Sequence, residues 1–211
     1  MGNVLSLYLI RHSESELNLT PNIICGQSVN IGLSDLGREQ SKSLWRRFKR
    51  EGMTFDKVYS STARRTIETA NIACLGLPCD ILSKEELLEL HQGDWEGQIR
   101  SDKHTEEVLN QIKLDPWNFK APNGESQKEV GERMTNFVNK IIDDRSFFEK
   151  SEIAIFGHGF SFKCFLRELL NFDAKHTYYF NFENTSVSHL KYNYDEQKWL
   201  IFYLNDFSHL R

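Results

Sequence analysis

Short apolar segments alternate along this chain with amphipathic helical patterns, and this alternation restricts its possible folds more than any other feature. The apolar run Val4–Ile10 predicts a buried strand, and Leu36–Arg50 predicts a helix that begins at Ser34 or Asp35. The other predicted strands are Asp56–Ser60, Cys79–Leu82, Glu152–Phe156, Val187–Tyr194 and Trp199–Tyr203, and the other predicted helices are Thr62–Cys74, Lys103–Lys113, Glu125–Asp144 and Phe160–Leu170. This succession predicts an α/β fold, a three-layer α/β/α sandwich with a mostly parallel central sheet.

The composition of the 211 residues argues against several classes of protein. The formal net charge is -4 and no long basic run is present, which argues against a nucleic-acid partner because phosphate backbones require clustered Lys and Arg. The four cysteines do not have the spacing of a zinc motif, so we expect reduced thiols. With four prolines, no repeat and no linker, the sequence indicates a single domain over residues 1–211.

The N-terminal apolar run is too short for a signal peptide and lacks a preceding basic region. No stretch of the sequence approaches the roughly 18 apolar residues of a membrane span. The first six residues also fit the template for myristoylation of Gly2. Because the strand pattern already begins at Val4, no free arm is left for a lipid, and we expect a cytoplasmic protein without a membrane partner.

Charged and polar residues directly follow three of the predicted strands. Arg11, His12 and Ser13 follow the first strand, Ser60–Arg65 spans the end of the second strand and the residues after it, and Gly157–Gly159 follows a later buried strand. The carboxyl ends of parallel strands meet at one edge of the sheet, where open α/β folds bind ligands. Arginine offers a fork of donors to phosphate oxygens, and histidine is a nucleophile or donor near neutral pH. This edge is therefore predicted to bind a phosphoryl group.

Phosphoryl transfer requires a nucleophile, neutralisation of the phosphate charge and an acid for the leaving oxygen. His12 is the candidate nucleophile, because an imidazole nitrogen can form a covalent phosphoenzyme. Glu89 is the candidate acid: its neighbours Leu88 and Leu90 are apolar, and apolar surroundings and a nearby phosphate would both disfavour its charged form. These residues predict an enzyme that acts on a small phosphorylated substrate.

Six segments, in order along the chain, resemble the motifs of the histidine phosphatase superfamily, in the branch that contains the cofactor-dependent phosphoglycerate mutases and many small phosphatases. They are Leu9–Ser15 with Asn18, Leu33–Gln40, Ser60–Ala70, Leu87–Gly97, Gly124–Ser126 and Gly157–Gly159. Each motif alone is a weak signal, but six in the family's order make a strong one. The resemblance implies a phosphoglycerate mutase-like fold and requires neither a metal ion nor an organic cofactor.

The resemblance also implies roles for individual residues around the phosphate. His12 would be phosphorylated and Arg11 would hold the same phosphate. The residues alone leave Arg64 and Arg65 as alternatives for the second phosphate arginine. The resemblance favours Arg65, because it precedes Thr69–Ala70 by the interval that the family shows.

Other positions are assigned by the same resemblance. His158 would be the second pocket histidine and would donate to a phosphoryl oxygen. Glu89 would be the proton donor that later acts as a base for water, with Asn18 and the backbone of Gly159 as supporting contacts. Ser13 stands where the family usually has glycine. A serine is small and can donate a hydrogen bond, so we expect it to be tolerated and to contact the phosphate.

Hydrolysis is predicted ahead of phosphoglycerate mutase activity. In the mutase branch, the catalytic Glu is usually followed by an arginine and a tyrosine that bind a carboxylate, whereas Glu89 is followed by Leu90, His91 and Gln92. We therefore expect a phosphomonoester hydrolase that acts through a phosphohistidine and needs no metal. Two alternatives stay open: phosphoglycerate mutase-type transfer, and a pseudoenzyme that binds phosphorylated ligands without turnover.

Substrate specificity is expected to reside in two segments, Pro21–Gly32 and His91–Pro122. Aromatic residues in Tyr178–Phe182 are candidates for the mouth of the substrate pocket, while Phe147 and Phe148 are expected to pack helices on the sheet. The remaining histidines are expected to be ordinary surface or core residues. They are His91, His104, His176 and His189, with a structural role also expected for His209.

Overall fold

A six-stranded sheet lies at the centre of the computed structural model, which describes residues 3–144 and 150–211. Its strands are β1 (Val4–Arg11), β2 (Lys57–Ser61), β3 (Ile81–Lys84), β4 (Lys150–Gly157), β5 (Val187–Asn193) and β6 (Lys198–Asp206). They are ordered β3-β2-β4-β1-β5-β6 across the sheet. The first four strands are mutually parallel, and β5 and β6 form a hairpin whose β5 runs antiparallel to β1. The predicted, mostly parallel sheet is therefore confirmed, and the antiparallel hairpin β5–β6 forms one of its edges.

Helices cover both faces of this sheet. They are α1 (Asp35–Glu51), α2 (Arg64–Ala73), α3 (Arg100–Lys103), α4 (Glu106–Leu114), α5 (Gln127–Asp143) and α6 (Gly159–Leu170), and short 3-10 turns cover Glu16–Leu19, Glu85–Leu87, Gly93–Trp95, Ala174–Tyr178 and Ser208–Leu210. Local sequence sets several of their ends. The Ser34 hydroxyl accepts a hydrogen bond from the N–H of Gly37 and begins α1, and Gly52, with φ of +64°, ends it. Ser126 and Glu129 form a capping box at the start of α5.

Alternate residues of the strands enter two separate apolar clusters. Leu7 and Ile155 pack with α5 and α6 on one face, while Ile10 and Phe156 pack with α1 and α2 on the other. Complete burial of one such side chain contributes about 1.5–3 kcal/mol. The two clusters give the three layers that the sequence predicts.

The predicted elements are confirmed with small shifts at their ends, apart from one helix. The helix predicted over Lys103–Lys113 is interrupted, because the side chain of Thr105 accepts from the N–H of Val108 and starts α4 separately from α3. No helix in the described ranges has both the length and the apolarity needed to cross a bilayer. The expectations for Gly2, Phe147 and Phe148 concern positions outside the described residues.

Candidate active site

The carboxyl ends of β1, β2 and β4 meet at one edge of the sheet. Arg11 pairs with Gly157 in register, and the N–H of His12 donates to the carbonyl of Gly157 at 3.0 Å. A cavity of about 440 Å³ opens beside these strand ends. The sequence-predicted residues that line it are Arg11, His12, Asn18, Arg65 and Glu89.

His12 is almost completely buried and has a defined tautomer. Its Nδ1 lies 2.7 Å from the carbonyl oxygen of Ser13, and because a carbonyl only accepts, Nδ1 carries the proton. The Asn184 amide donates to the carbonyl of His12 at 2.9 Å, which fixes the backbone there. Burial, followed by the charges of Arg65 and Arg11, holds the pKa of His12 well below its ordinary value. The ring is therefore neutral at pH 7, with the lone pair on Nε2.

Arg65, and not Arg64, lies in the cavity. Its guanidinium donates to the carbonyls of Gln27 at 2.9 Å and Ser28 at 3.0 Å, and to Nδ1 of His158 at 3.1 Å. Arg64 is exposed and forms an ion pair within its own helix. The loop carbonyls thus hold a buried cation at the position that the family resemblance indicates.

Arg11 lines the same end of the cavity. Its guanidinium donates to the carbonyl of Phe182, and its buried Nε has no hydrogen-bond partner among residues 3–144 and 150–211. A Cβ at Gly159 would lie 3.3 Å from this Nε, a spacing at which the neighbouring group must give way. Glycine at this position therefore allows the start of α6 to approach the guanidinium closely.

His158 is fully buried, and protein atoms contact both of its ring nitrogens. Nδ1 accepts from Arg65, because a guanidinium only donates, and Nε2 therefore carries the proton 2.9 Å from the Ser61 hydroxyl. Its ring centroid lies 5.1 Å from that of His12. The expectation that His158 donates to a phosphoryl oxygen stays a prediction, since in this structure its Nδ1 accepts from Arg65. Ser61 was missed as a site residue, although its place at the end of a strand was the available signal.

The carboxylate of Glu89 lies on the first turn of α6. Oε1 accepts from the N–H groups of Leu90 at 2.9 Å and Ser161 at 2.8 Å, and Oε2 accepts from the N–H of Phe160 at 3.0 Å. The expectation of apolar surroundings for this side chain is wrong, because the helix places backbone donors around the carboxylate. Among the described residues, Oε2 accepts one hydrogen bond, which leaves it able to exchange a proton with a ligand.

Arg133 on α5 anchors the segment that carries Glu89. It donates to the carbonyl oxygens of Glu86 at 2.8 Å and Glu89 at 3.0 Å, and forms a bidentate pair with Glu125 at 2.9 and 3.0 Å. Glu125 also accepts from the N–H of His91 at 3.0 Å. This clamp is absent from the predictions made on the sequence, although Glu125 lies in the motif Gly124–Ser126 and begins a predicted helix.

Of the two predicted phosphate contacts Ser13 and Asn18, only Asn18 lines the cavity. Ser13 is fully buried, its N–H donates to Thr69 at 3.0 Å, and its hydroxyl lies 2.5 Å from that of Ser41. Its hydroxyl is therefore engaged by α1 and its backbone N–H by α2, and the expected contact with phosphate finds no support. Asn18 does line the cavity; its amide oxygen accepts from the N–H of Ser15 at 2.9 Å, which leaves its NH₂ group as the donor.

Most of the remaining lining of the cavity comes from the two predicted specificity segments. These lining residues are Ile24, Cys25, Gly26, Gln92, Trp95, Arg100, His104, Leu109, Ile112, Pro116, Phe119, Lys120 and Ala121. His104 thus lines the cavity, and the expectation of an ordinary surface or core histidine stays a prediction for it. Phe160 and Tyr178 also line the cavity. In residues 3–144 and 150–211, no group of three or more His, Cys, Asp or Glu side chains is arranged to hold a metal ion.

Comparisons with known proteins identify the family and the fold of this chain. A family model described as the histidine phosphatase superfamily (branch 1) matches residues 7–206. A curated relative from Proteus mirabilis, named "Probable phosphoglycerate mutase GpmB", is 30% identical over 212 residues, which cover 98% of this chain and 95% of the relative. Among solved structures, a phosphoserine phosphatase mutant from Entamoeba histolytica bound to phosphoserine has a TM-score of 0.84 and 21% identity, covering 98% of this chain and 100% of its own. YhfR of Bacillus stearothermophilus has a TM-score of 0.83 and 26% identity, with the same two coverages.

Proposed function

Because this chain belongs to the histidine phosphatase superfamily, we propose that it hydrolyses a small phosphorylated metabolite through a phosphohistidine on His12. The observation that carries the proposal is the state of His12: a neutral ring in the cavity, with Nδ1–H held by a carbonyl and the lone pair on Nε2. Arg11 and Arg65 lie beside it as donors for phosphate oxygens.

In the first step, Nε2 of His12 attacks phosphorus and the bond from phosphorus to the alcohol oxygen breaks. The electron pair goes to that oxygen, and protonated Glu89 supplies its proton through Oε2. In the second step, water attacks the phosphohistidine while the Glu89 carboxylate takes a proton from it. The bond from nitrogen to phosphorus breaks, which releases inorganic phosphate and regenerates neutral His12.

His158 supports Arg65 before the substrate binds and can itself become a donor afterwards. When Arg65 donates to a phosphoryl oxygen, Nδ1 of His158 loses that donor. To donate from Nδ1, the neutral ring of His158 must gain a proton there and release the proton on Nε2 to water, and the Ser61 hydroxyl, which can donate as well as accept, would then donate to Nε2. The family role of His158 therefore requires a change of tautomer as well as of hydrogen-bond partners, and the Asn18 amide and the Gly159 backbone complete the phosphate contacts.

We assign no metal ion or organic cofactor to this reaction, because Arg11 and Arg65 supply the positive charge that a metal would otherwise provide. The four cysteines are unpaired, in keeping with a reducing compartment, and we place the protein in the cytoplasm.

Phosphoglycerate mutase activity is the second candidate, because the curated relatives of high similarity bear that name. The two activities are separated by following inorganic phosphate and phosphoglycerate isomers in parallel, with and without a bisphosphoglycerate primer. Hydrolysis predicts phosphate release that the primer does not stimulate. Primer-dependent isomerisation without phosphate release would overturn the proposal.

The turnover of wild type and His12→Ala on a panel of phosphorylated sugars, amino acids, nucleotides and peptides distinguishes an enzyme from a pseudoenzyme. The proposal predicts turnover of at least one substrate by wild type and none by the variant, with unchanged thermal unfolding of both. Equal background rates for the two proteins over the whole panel would contradict a catalytic role.

A further inference from the structure

The lining of the cavity has two parts of different chemistry. The phosphate end, formed by Arg11, His12, Arg65 and Glu89, is charged or polar. A second part of the lining, which we call the aromatic wall, consists of Trp95, His104 and Phe119 together with Leu109 and Ile112. The proposed chemistry uses only the phosphate end, so the wall is available to contact the alcohol part of the substrate.

Three rings of the aromatic wall are held in fixed relation to one another. The ring centroid of Trp95 lies 5.9 Å from that of Phe119 and 5.8 Å from that of His104. Trp95 is only 9% exposed because it packs on Ile24 and Ala121. The wall is therefore a preformed surface for a ring, with centroid spacings typical of aromatic pairs.

The charges near the wall do not form a second anion site. Lys120 is neutralised by Glu129 at 3.0 Å, and burial together with the charge of Arg100 lowers the pKa of His104, which keeps its ring neutral. Arg100 is exposed, and its charge is hydrated in solution. None of the described residues of the wall matches the two buried guanidinium groups that lie at the phosphate end.

The size of the cavity also argues against a small polar alcohol. About 440 Å³ lies in the range that accommodates a drug-sized ligand. A glycerate-sized substrate held by its phosphate would leave Ile112 and Phe119 in contact with water. A ring attached to the phosphate through a short chain would remove these apolar surfaces from water, which is favourable.

On the basis of the proposed hydrolase function, we propose that the substrate is a phosphomonoester of a ring-bearing, largely apolar alcohol whose ring packs on Trp95 and Phe119. The phosphate end would supply the chemistry and the aromatic wall the selectivity. Nothing in the reaction on His12 requires this preference, so the two proposals are tested separately.

The first test compares 3-phenylpropyl phosphate with propyl phosphate, two esters whose leaving oxygens are nearly equal in basicity and which differ by the ring. We expect kcat/KM to be about tenfold or more higher for the ring-bearing ester. Equal values, or a preference for propyl phosphate, would overturn the proposed substrate class while leaving the hydrolase function intact.

The second test measures binding without turnover. Both esters are titrated into His12→Ala by calorimetry, where the ring-bearing ester should bind about tenfold more tightly. This result is expected even if wild type hydrolyses neither these esters nor any substrate of the panel, an outcome that would refute the hydrolase function alone. Equal affinities would refute the ring preference whatever the enzyme does.

The third test assigns the preference to the wall. Phe119→Ala, at a half-buried position, should lower the affinity ratio of the two esters by about tenfold. Phe202→Ala makes the same chemical change at a 55% exposed position of β6 outside the cavity lining, and should leave the ratio unaltered. An unchanged ratio in Phe119→Ala, or an equal loss in both variants, would contradict the assignment.

Discussion

The phosphate end and the aromatic wall of one cavity are built in different ways. His12 and Arg65 are 5% and 4% exposed, and each is fixed by hydrogen bonds to backbone carbonyls at the ends of sheet strands or in the adjoining loop. The wall comes mainly from the short helices of residues 93–122, where Leu109 is 40% exposed. The sheet thus holds the groups that need accurate placement, whereas the recognition of the alcohol depends on a surface segment that can change without disturbing them.

The phosphate end is stable because each buried polar group has partners. Arg65 would be unfavourable in the interior without the carbonyls of Gln27 and Ser28, and neutral His158 fits between Arg65 and Ser61. Arg11 is the exception, with a buried Nε that lacks a partner among the described residues. This donor is placed where a phosphoryl oxygen would satisfy it.

The largest effect that distinguishes the two ends is expected from Glu89→Gln. The amide keeps the size of the side chain but cannot give a proton, so kcat/KM for an alkyl phosphate should fall about 10²–10⁴-fold. p-Nitrophenyl phosphate should lose far less, because its leaving oxygen needs no proton. Phe119→Ala, which changes the aromatic wall, is the comparison variant. Equal losses of kcat/KM on both substrates in Glu89→Gln would contradict the acid role.

A smaller loss is expected from Arg133→Met, which removes the clamp on the Glu89 segment. Misplacement of the acid should lower kcat/KM for alkyl phosphates by about 10–100-fold, again with less effect on p-nitrophenyl phosphate. Lys128→Met, on the exposed face of the same helix, is the matched control and should retain wild-type kcat/KM. A loss that is uniform across leaving groups would indicate general loosening of the fold instead of a positioning role.

The pH dependence of the reaction should reveal the link between Arg65 and His12. Burial and the nearby guanidinium groups lower the pKa of His12, so the nucleophile stays neutral in mildly acidic solution. Arg65→Gln removes one positive charge, so the pKa of His12 should rise and the acidic limb of the kcat/KM profile should move to higher pH. A limb that stays in place or moves to lower pH would show that Arg65 does not act on His12 electrostatically.

The smallest effect concerns stability and involves neither end of the cavity. Burial lowers the pKa values of His189 and His209 to about 4. Between about pH 6.5 and pH 4, the unfolded chain therefore binds protons at these rings while the folded protein does not, and the free energy of unfolding should fall as pH decreases. Urea unfolding at several pH values measures this slope, which His189→Phe should reduce. A free energy of unfolding that rises as the pH is lowered over this interval would contradict the assignment.

The sequence predicts the phosphate end better than the wall for a physical reason. His12, Arg65 and His158 lie at or just after strand ends, and a parallel sheet brings such positions together whatever else the chain does. The side chain of Arg133 and the carbonyl of Glu89 are 44 residues apart in sequence, and no local pattern connects them.

Local sequence patterns also do not predict in which direction a side chain points. The hydroxyl of Ser13 turns to Ser41 on α1, and the place of His104 in the wall depends on its packing against Trp95. Both contacts exist only after the chain is folded, so the strand and helix periodicities that predict the layers carry no information about them.

The central claim, that His12 carries the phosphoryl group, is tested most directly by acid-free rapid quenching during turnover of a labelled phosphomonoester, followed by mapping of the labelled peptide. The account predicts an acid-labile, alkali-stable phosphoryl group on His12 that forms before inorganic phosphate appears and that is missing from folded His12→Ala. A labelled residue other than His12, or turnover by His12→Ala at the wild-type rate, would contradict it.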